Sequence, residues 1–385
     1  HTRYPLVTGV QTCALPISQA LQGRHLVEFI QRAAGELGFS QIGIAGVDLS
    51  SAEPGLMSWL EAGFHGSMAY MSRHGLKRAR PAELVPGTLS VISASLPYLP
   101  ESESENWIEE ETRRLHSPEV GVISMYARGR DYHRVVRSRL LKLTQKIQHQ
   151  IDPLGHRVFC DSAPVAEVEL AKASGVGWRG KHTLALQRDG GSLFFLGEIF
   201  IDLALPPTPA LSAHCGSCTA CLDVCPTRAI VAPYRLDARR CVSYLTIEHE
   251  GPIDVELRSA MGNRIYGCDD CQLVCPWNKY ARRTPLPDFV PRPGLRGAGL
   301  LELWAWSEQE FSRRTEGTAI RRIGWERWRR NLAVAMGNAL GAQLSADTVI
   351  EFRQALHQAR ETQSPLVREH IDWALSQVTE PLKAG

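Results

Sequence analysis

Seven of the ten cysteines in this 385-residue chain fall into two compact runs, each ending in Cys-Pro. Cys215, Cys218, Cys221 and Cys225-Pro226 form C-x2-C-x2-C-x3-C-P, and Cys268, Cys271 and Cys275-Pro276 form C-x2-C-x3-C-P. The first spacing is that of a bacterial-type ferredoxin, in which three thiolates bind one 4Fe–4S cluster and the fourth reaches across to another. The second run is one ligand short of a matching set, and Cys241 lies between the runs to complete it. Eight thiolates for two cubane clusters imply single-electron transfer at low potential. Such paired spacings in a large chain mark metal sites more often than disulfides, which points to a reducing compartment.

Other residues could carry chemistry, each with a plainer reading beside it. Gly175-Val176-Gly177-Trp178-Arg179-Gly180 matches G-x-G-x-x-G. That motif holds a dinucleotide only between a strand and a following helix. Here a helix precedes it (Ala166 to Ala173) and a hairpin follows, so the match is rejected. Asp131-Tyr132-His133 opens like the cobalamin motif D-x-H-x-x-G, but Val136 stands where that motif needs Gly. An N-cap Asp with a surface His is the simpler reading. Asp161, in Cys160-Asp161-Ser162-Ala163-Pro164, is an N-cap by position. The alternative is a general acid held protonated in a desolvated pocket. Arg321, Arg322, Arg327, Arg329 and Arg330 interleave with Trp325 and Trp328. They form either a phosphate-pairing, base-stacking surface or an ordinary solvated helix face.

The elements that position these residues follow from periodicity and punctuation. Helical spacing runs from Gln19 to Leu37 and stops at Gly38. Met57 to Met71 is a second amphipathic helix, followed by the basic turn Lys77 to Pro81. Asp131 to Ile151 is a long basic helix. Strands are expected at Gln41 to Val47, Ser90 to Leu96 and Arg157 to Cys160. Leu184 to Leu186 and Leu193 to Ile201 flank Asp189-Gly190-Gly191 as a hairpin. Glu101 to Glu111, with six glutamates, is a solvated loop or helix start. Pro206 to Pro209 is a linker, and the chain beyond Pro293 is helical to Val378, like helical-repeat hairpins.

Length allows two or three domains, and 44% apolar with 22% charged residues is ordinary for a soluble globular protein. A net charge of +2 leaves any nucleic-acid footprint to a local patch. No apolar run approaches a membrane helix, and Ser192 to Leu205 is interrupted by Glu198 and Asp202. Residues 1–18 lack an initiator Met and a signal-peptide core. They resemble translated adapter sequence, so Cys13 is set aside.

Together these segments resemble the epoxyqueuosine reductases, the iron–sulfur and cobalamin enzymes of the last step of queuosine synthesis. The resemblance is carried by His74 to Pro81, Tyr126 to His133, Asp161 to Pro164, Gly177 to His182, Arg239 to Thr246 and Gly262 to Cys271. It runs from about Gln19 to near the C-terminus. It implies an α+β chain: a cobalamin-binding α/β catalytic domain (19–208), an inserted dicluster ferredoxin-type domain (209–285) and an α-helical, HEAT-like tail (286–385). The implied reaction removes the epoxide oxygen of epoxyqueuosine as water, at the wobble position of tRNAs with GUN anticodons (those for Asp, Asn, His and Tyr). It consumes two electrons and two protons.

By the same resemblance Asp161 is the proton donor over the cobalt face. Arg78, Ser243 and Asp269 contact the corrinoid, Asp131 and His133 line the pocket, and Lys181 is a further contact that could equally be a surface lysine on a turn. Ser124 stands where some relatives carry Cys, so a thiol role there cannot apply. The cross-over rule assigns Cys215, Cys218, Cys221 and Cys275 to one cluster, and Cys225, Cys241, Cys268 and Cys271 to the other. Arg321 and Arg322 are the candidates for tRNA contact. A reductase or a flavodoxin- or ferredoxin-type donor, a monomeric state and a cytoplasmic location complete the expectation. Two rivals share the iron–sulfur signal: a corrinoid reductive dehalogenase, and a pure electron carrier.

Overall fold

The computed structural model describes residues 17–377 except residue 152, with side chains from residue 23 onward. Cys13, and all but the last two residues of the segment resembling adapter sequence, lie outside the described residues.

A four-stranded sheet forms the frame: β1 (Gln41–Ala45), β2 (Ser90–Pro97), β3 (His156–Phe159) and β4 (Phe194–Ile201), in the order β1-β2-β4-β3. Every neighbouring pair is antiparallel. Side chains alternate faces along a strand. Ile199 and Ile201 of β4 meet α1 (Ile17–Glu36) and α2 (Tyr132–Gln148), through Ile30, Ala33, Val136 and Leu140. The opposite face carries Phe200, Val91 and Phe159 against Leu170 of α3 (Glu167–Ala173). Glu198 shares its parity with Phe200, so the fully buried carboxylate of this strand points toward α3.

Two expected elements take another form. The helix expected over Met57 to Met71 is split into Glu53–Glu61 and Ala69–Arg73. Gly63 and Gly66 between them have φ of +65° and +57°. At Gly66 a Cβ would sit 2.5 Å from the Tyr244 hydroxyl, so this turn is moulded onto the cysteine-rich region. The hairpin around Asp189-Gly190-Gly191 does not form either. Ala185–Leu186 pairs with Trp178–Arg179, and only a Gln187–Gly191 bridge closes the turn. The apolar β4 is instead the interior strand, paired on both sides. The glycine-rich match sits after α3 and inside that short two-stranded pairing, with no helix N-terminus for a phosphate.

The cysteine-rich region is stitched into this frame. Arg264–Tyr266 runs parallel to Val122–Ile123, and Arg283–Thr284 runs parallel to Leu99–Pro100. Buried Asn278 accepts from the Ser192 amide at 2.6 Å and donates to the Gln272 carbonyl at 2.7 Å. Inside this region α4 (Val242–Ile247) follows Cys241, and beyond it come α5 (Gly324–Leu340), α6 (Ala346–Arg360) and α7 (Pro365–Ser376). The last three share one core containing Trp304, Trp328, Leu332, Phe352 and Ile371.

That core revises the arginine–tryptophan reading. Trp328 and Arg330 are fully buried and Arg329 nearly so. Arg330 donates to the carbonyls of His249, Gly251 and Leu245, and Arg329 donates to Trp304 O while lying over its ring. Arg327 reaches the Ile247 carbonyl. Arg327 and Arg330 hold α5 against the cysteine-rich region and Arg329 holds it against the helical segment around Trp304, so only Arg321 and Arg322 keep substantial exposure. Among the described residues no helix is long and apolar enough to cross a membrane.

Candidate active site

The seven cysteines of the two runs and Cys241 are free thiols. Cys215, Cys218, Cys221 and Cys275 line one cavity of about 270 Å³, together with Lys181, His214 and Trp277. The other four gather separately. Cys271 lies close enough to Cys241 and Cys225 to feel their charge, and Cys268 to feel that of Cys271. Burial pushes Cys268 and Cys271 well above the usual thiol range, and neighbouring acids and thiols push the same way. Four such sulfurs become thiolates together only around a positive core. Among the described residues no three His, Cys, Asp or Glu side chains converge as a lone metal ion requires. A cubane spreads its ligands more widely than one ion does.

The second chemical centre is Asp161. It ends β3 two residues past Phe159 and has φ of +55°, a left-handed conformation uncommon for a side-chain-bearing residue. It is not a helix cap, because α3 starts at Glu167 with Ala166 as its cap. Asp161 instead lines two adjoining cavities of about 470 and 510 Å³ that also share Tyr70 and Arg78. His133, Glu248 and Arg322 complete the wall of the first.

Asp131 does cap α2, accepting from the His133 amide at 3.1 Å. It also accepts from His133 Nδ1 at 2.8 Å, while His133 Nε2 donates to Asp161 Oδ2 at 3.0 Å. Tyr132 donates its hydroxyl to the same Asp161 oxygen. His133 is therefore an imidazole clamped between two carboxylates rather than a surface side chain. Burial alone would lower its pKa, but hydrogen bonds from Asp131 and Asp161 raise it from 6.5 to about 9. Desolvation pushes Asp161 up, and the His133 and Tyr132 donors more than offset it, leaving the carboxyl below its ordinary value. The donors on Asp161 thus act against the upward push that the expected general acid would draw from desolvation, and they set a proton-bearing His133 directly beside it.

The remaining sequence candidates fall in three places. Arg78 lines both cavities, with its Nε buried and without a hydrogen-bond partner. Ser124 and Asp269 pair with each other: the hydroxyl donates to Asp269 Oδ1 at 2.5 Å, and the Met125 amide donates to Oδ2 at 2.8 Å. Gly267, at φ +71°, allows this, since a Cβ there would lie 2.6 Å from that of Ser124. Ser243, two residues past Cys241, works against the upward push that burial gives that thiol. Lys181 lies away from Asp161 and donates to the carbonyls of Gly216 and Cys218 at 2.7 and 2.8 Å. Arg322 pairs with Glu248 at 2.7 Å on the cavity wall, whereas Arg321 is nearer Glu316.

Comparison with known proteins decides the family. The family model "Epoxyqueuosine reductase QueG, DUF1730" matches residues 78–162, and the "4Fe-4S double cluster binding domain" model matches residues 214–278. An epoxyqueuosine reductase of Alicycliphilus denitrificans is 63% identical over 353 residues, covering 92% of this chain and 98% of the relative. The chain belongs to the epoxyqueuosine reductase family. The Escherichia coli relative is 50% identical, over 94% of this chain and 92% of its own. A solved epoxyqueuosine reductase bound to a tRNA-Tyr epoxyqueuosine-modified stem loop superposes with a TM-score of 0.77 at 25% identity, covering 92% and 99% of the two chains.

Within this family member, the sequence pattern alone gave no role to Tyr132, Glu167, Glu198 or Glu248. Tyr132 lies inside the quoted Asp131-Tyr132-His133 segment, and its neighbours were the available signal. Glu198 had one too, as a lone carboxylate in an otherwise apolar strand.

Proposed function

We propose that this protein reduces epoxyqueuosine to queuosine at the wobble position of tRNA, with two 4Fe–4S clusters and cobalamin as cofactors. The observation that carries the reading is Asp161, held by His133 and Tyr132 at the junction of two cavities. The solved relative carrying a modified stem loop supports tRNA as the substrate.

The cofactors are tested against this chain's donor sets. Cys215, Cys218, Cys221 and Cys275 share one cavity, and Cys225, Cys241, Cys268 and Cys271 form the other group, which fits two cubanes with crossed fourth ligands. The adjoining cavities beside Arg78, whose buried Nε has no partner, fit a large cofactor edged with hydrogen-bond acceptors such as cobalamin, with its peripheral amides and one phosphodiester. Ser243, next to the Cys241 sulfur, and Asp269, tied to Ser124, would flank it from the cluster side, and Lys181 belongs with the first cluster instead. When bound, the clusters pass single electrons at low potential and cobalamin delivers reducing power to the epoxide carbon.

The protein's own residues manage the protons. Converting an epoxide to an alkene breaks two C–O bonds and forms one π bond. Two electrons and two protons are consumed, and the oxygen leaves as water. His133, protonated up to about pH 9, holds a proton on Nε2 against Asp161. His133 delivers that proton through Asp161 to the developing alkoxide, and solvent at the cavity mouth reprotonates His133 for the second, while Asp131 keeps the imidazolium in place. Tyr132 holds the Asp161 oxygen in line. Arg322, at the cavity wall, and Arg321 on the same turn offer positive charge to the anticodon backbone.

The test is anaerobic turnover. Protein reconstituted with iron, sulfide and cobalamin, given a low-potential reductant, should convert epoxyqueuosine in a tRNA anticodon stem-loop to queuosine, read by nucleoside mass spectrometry. Full loading with both cofactors and no conversion would overturn the proposal.

A further inference from the structure

Glu198 sits in the middle of β4 with no exposed surface, and neither carboxylate oxygen has a hydrogen-bond donor. Its strand neighbours offer no compensation. Across the sheet it faces Ser93 on β2 and Phe159 on β3, and Ser93 Oγ is itself buried without a partner. An ionised carboxylate in that position would be an uncompensated buried charge, which proteins avoid by protonation. The group within hydrogen-bonding reach is Glu167, at the start of α3. Glu167 Oε1 in turn accepts the backbone amide of Asp161 at 2.5 Å. A continuous chain therefore runs from the sheet interior through two glutamates to the backbone of Asp161, held in its left-handed conformation. Such a conformation persists only where the surroundings hold it.

We propose that Glu198 is a positioning residue: as a neutral acid it donates to Glu167, and the pair clamps the Asp161 loop in its reactive position. Glu198 keeps its proton and gives it to the hydrogen bond with Glu167. That leaves Glu167 Oε1 an acceptor for the Asp161 amide and keeps a full charge from building up in the sheet interior. Burial and the neighbouring Asp161 raise Glu167 to about 8, and burial with Glu167 drives Glu198 well above the ordinary range, so Glu198 is the last of the pair to ionise. The titratable and charged groups around the pair are Asp161, Cys160 and the cations His133 and Arg78, both of which interact with Glu167. The catalytic consequence rests on the function proposed above; the protonation itself does not.

Isotope-edited infrared spectroscopy of the full-length protein at pH 7 reads the protonation without turnover. Wild type should show the C=O stretch of a buried carboxylic acid from labelled Glu, and E198Q should lose it. Absence of that band in wild type would overturn the proposal whatever the enzyme's substrate. In the turnover assay, E198A should lower kcat about 10- to 100-fold, the range a displaced catalytic group produces, with KM for the stem-loop little changed. E198Q, which keeps a donor toward Glu167, should restore most of that loss. Equal losses in E198A and E198Q would also overturn it, as would a KM effect that dominates in both.

Discussion

Replacing Asp131 with Asn separates the electrostatics of the His133 clamp from the structure that holds it. Asn caps a helix as well as Asp does, so α2 should still begin at Tyr132. What disappears is one of the two carboxylates that raise His133 from 6.5 to about 9. The two partners act together against burial, and burial stays when one is removed, so the loss is at least half of the net rise, about 1 pH unit or ~1.4 kcal/mol as the lower bound. The ring is about a quarter exposed (26%), and screening keeps the effect near that size rather than larger. The sign follows from a raised histidine. Its contribution is fully present below about 6.5 and is lost as pH rises through about 9. The alkaline limb of kcat should therefore fall near pH 9 in wild type and about 1 unit lower in D131N. Titration of the His133 Cε1 resonance by NMR gives the same midpoint independently of turnover. A helix intact by circular dichroism with an unmoved His133 midpoint would refute the clamp and, with it, the placing of the proton on His133.

Three further outcomes follow from the same structure. Cys241→Ser should lower iron from about eight to about four per chain, with one cluster retained by electron paramagnetic resonance; two intact clusters would refute the crossed assignment. Arg322→Ala should weaken binding of an anticodon stem-loop and make log K against log salt shallower by about 1, because one phosphate contact is lost; an unchanged slope would remove Arg322 from the interface. Arg330→Ala leaves the buried carbonyls of Leu245, His249 and Gly251 without their donor and opens a cavity in the helical core. The cost should be about 3 kcal/mol or more, read as a lower Tm by differential scanning fluorimetry; a shift below about 1 °C would contradict it.

What could be read from the chain depended on how local its signal was. Cysteine spacing is local, so both runs and the bridging Cys241 were legible in the residue order itself. The strands Ser90–Pro97 and Phe194–Ile201 were legible because apolar residues dominate them and the few others, three serines and one glutamate, do not follow a helical period. Their partners were not. The Asp189-Gly190-Gly191 turn favours a hairpin, but pairing β4 between β2 and β3 buries all of it, and this tertiary gain overrides a local turn preference. The arginine-rich stretch shows the opposite error: Arg329 and Arg330 look solvated by composition, yet the carbonyls of Leu245, His249 and Gly251, with Asn331 Oδ1, take the donors of Arg330. The protonation of Asp161 was out of reach for a similar reason. His133, 28 residues earlier in the chain, controls it, and that contact exists only once α2 packs beside β3 and β4.

The electron and proton machinery also share one stretch of backbone. Val122–Ile123 pairs in parallel with Arg264–Tyr266, which leads directly into Cys268 and Cys271. The next residue, Ser124, donates to Asp269, the first of the two residues between those cysteines, and the Met125 amide binds the same carboxylate. From Met125 the chain runs six residues to Asp131, which orients His133. Arg128, in the middle of that run, is buried on Glu111 and pins the segment to the domain body. A displacement of the cysteine loop therefore has a short, hydrogen-bonded route to the imidazole that holds the proton. Converting Asp269 to Ala should disturb both centres at once, altering the spectrum of the adjoining cluster and lowering the His133 midpoint. A substitution such as Lys181→Ala, tied only to the carbonyls of Gly216 and Cys218, should leave His133 untouched. If Asp269→Ala changes the cluster while His133 titrates as before, the two centres are neighbours without being coupled.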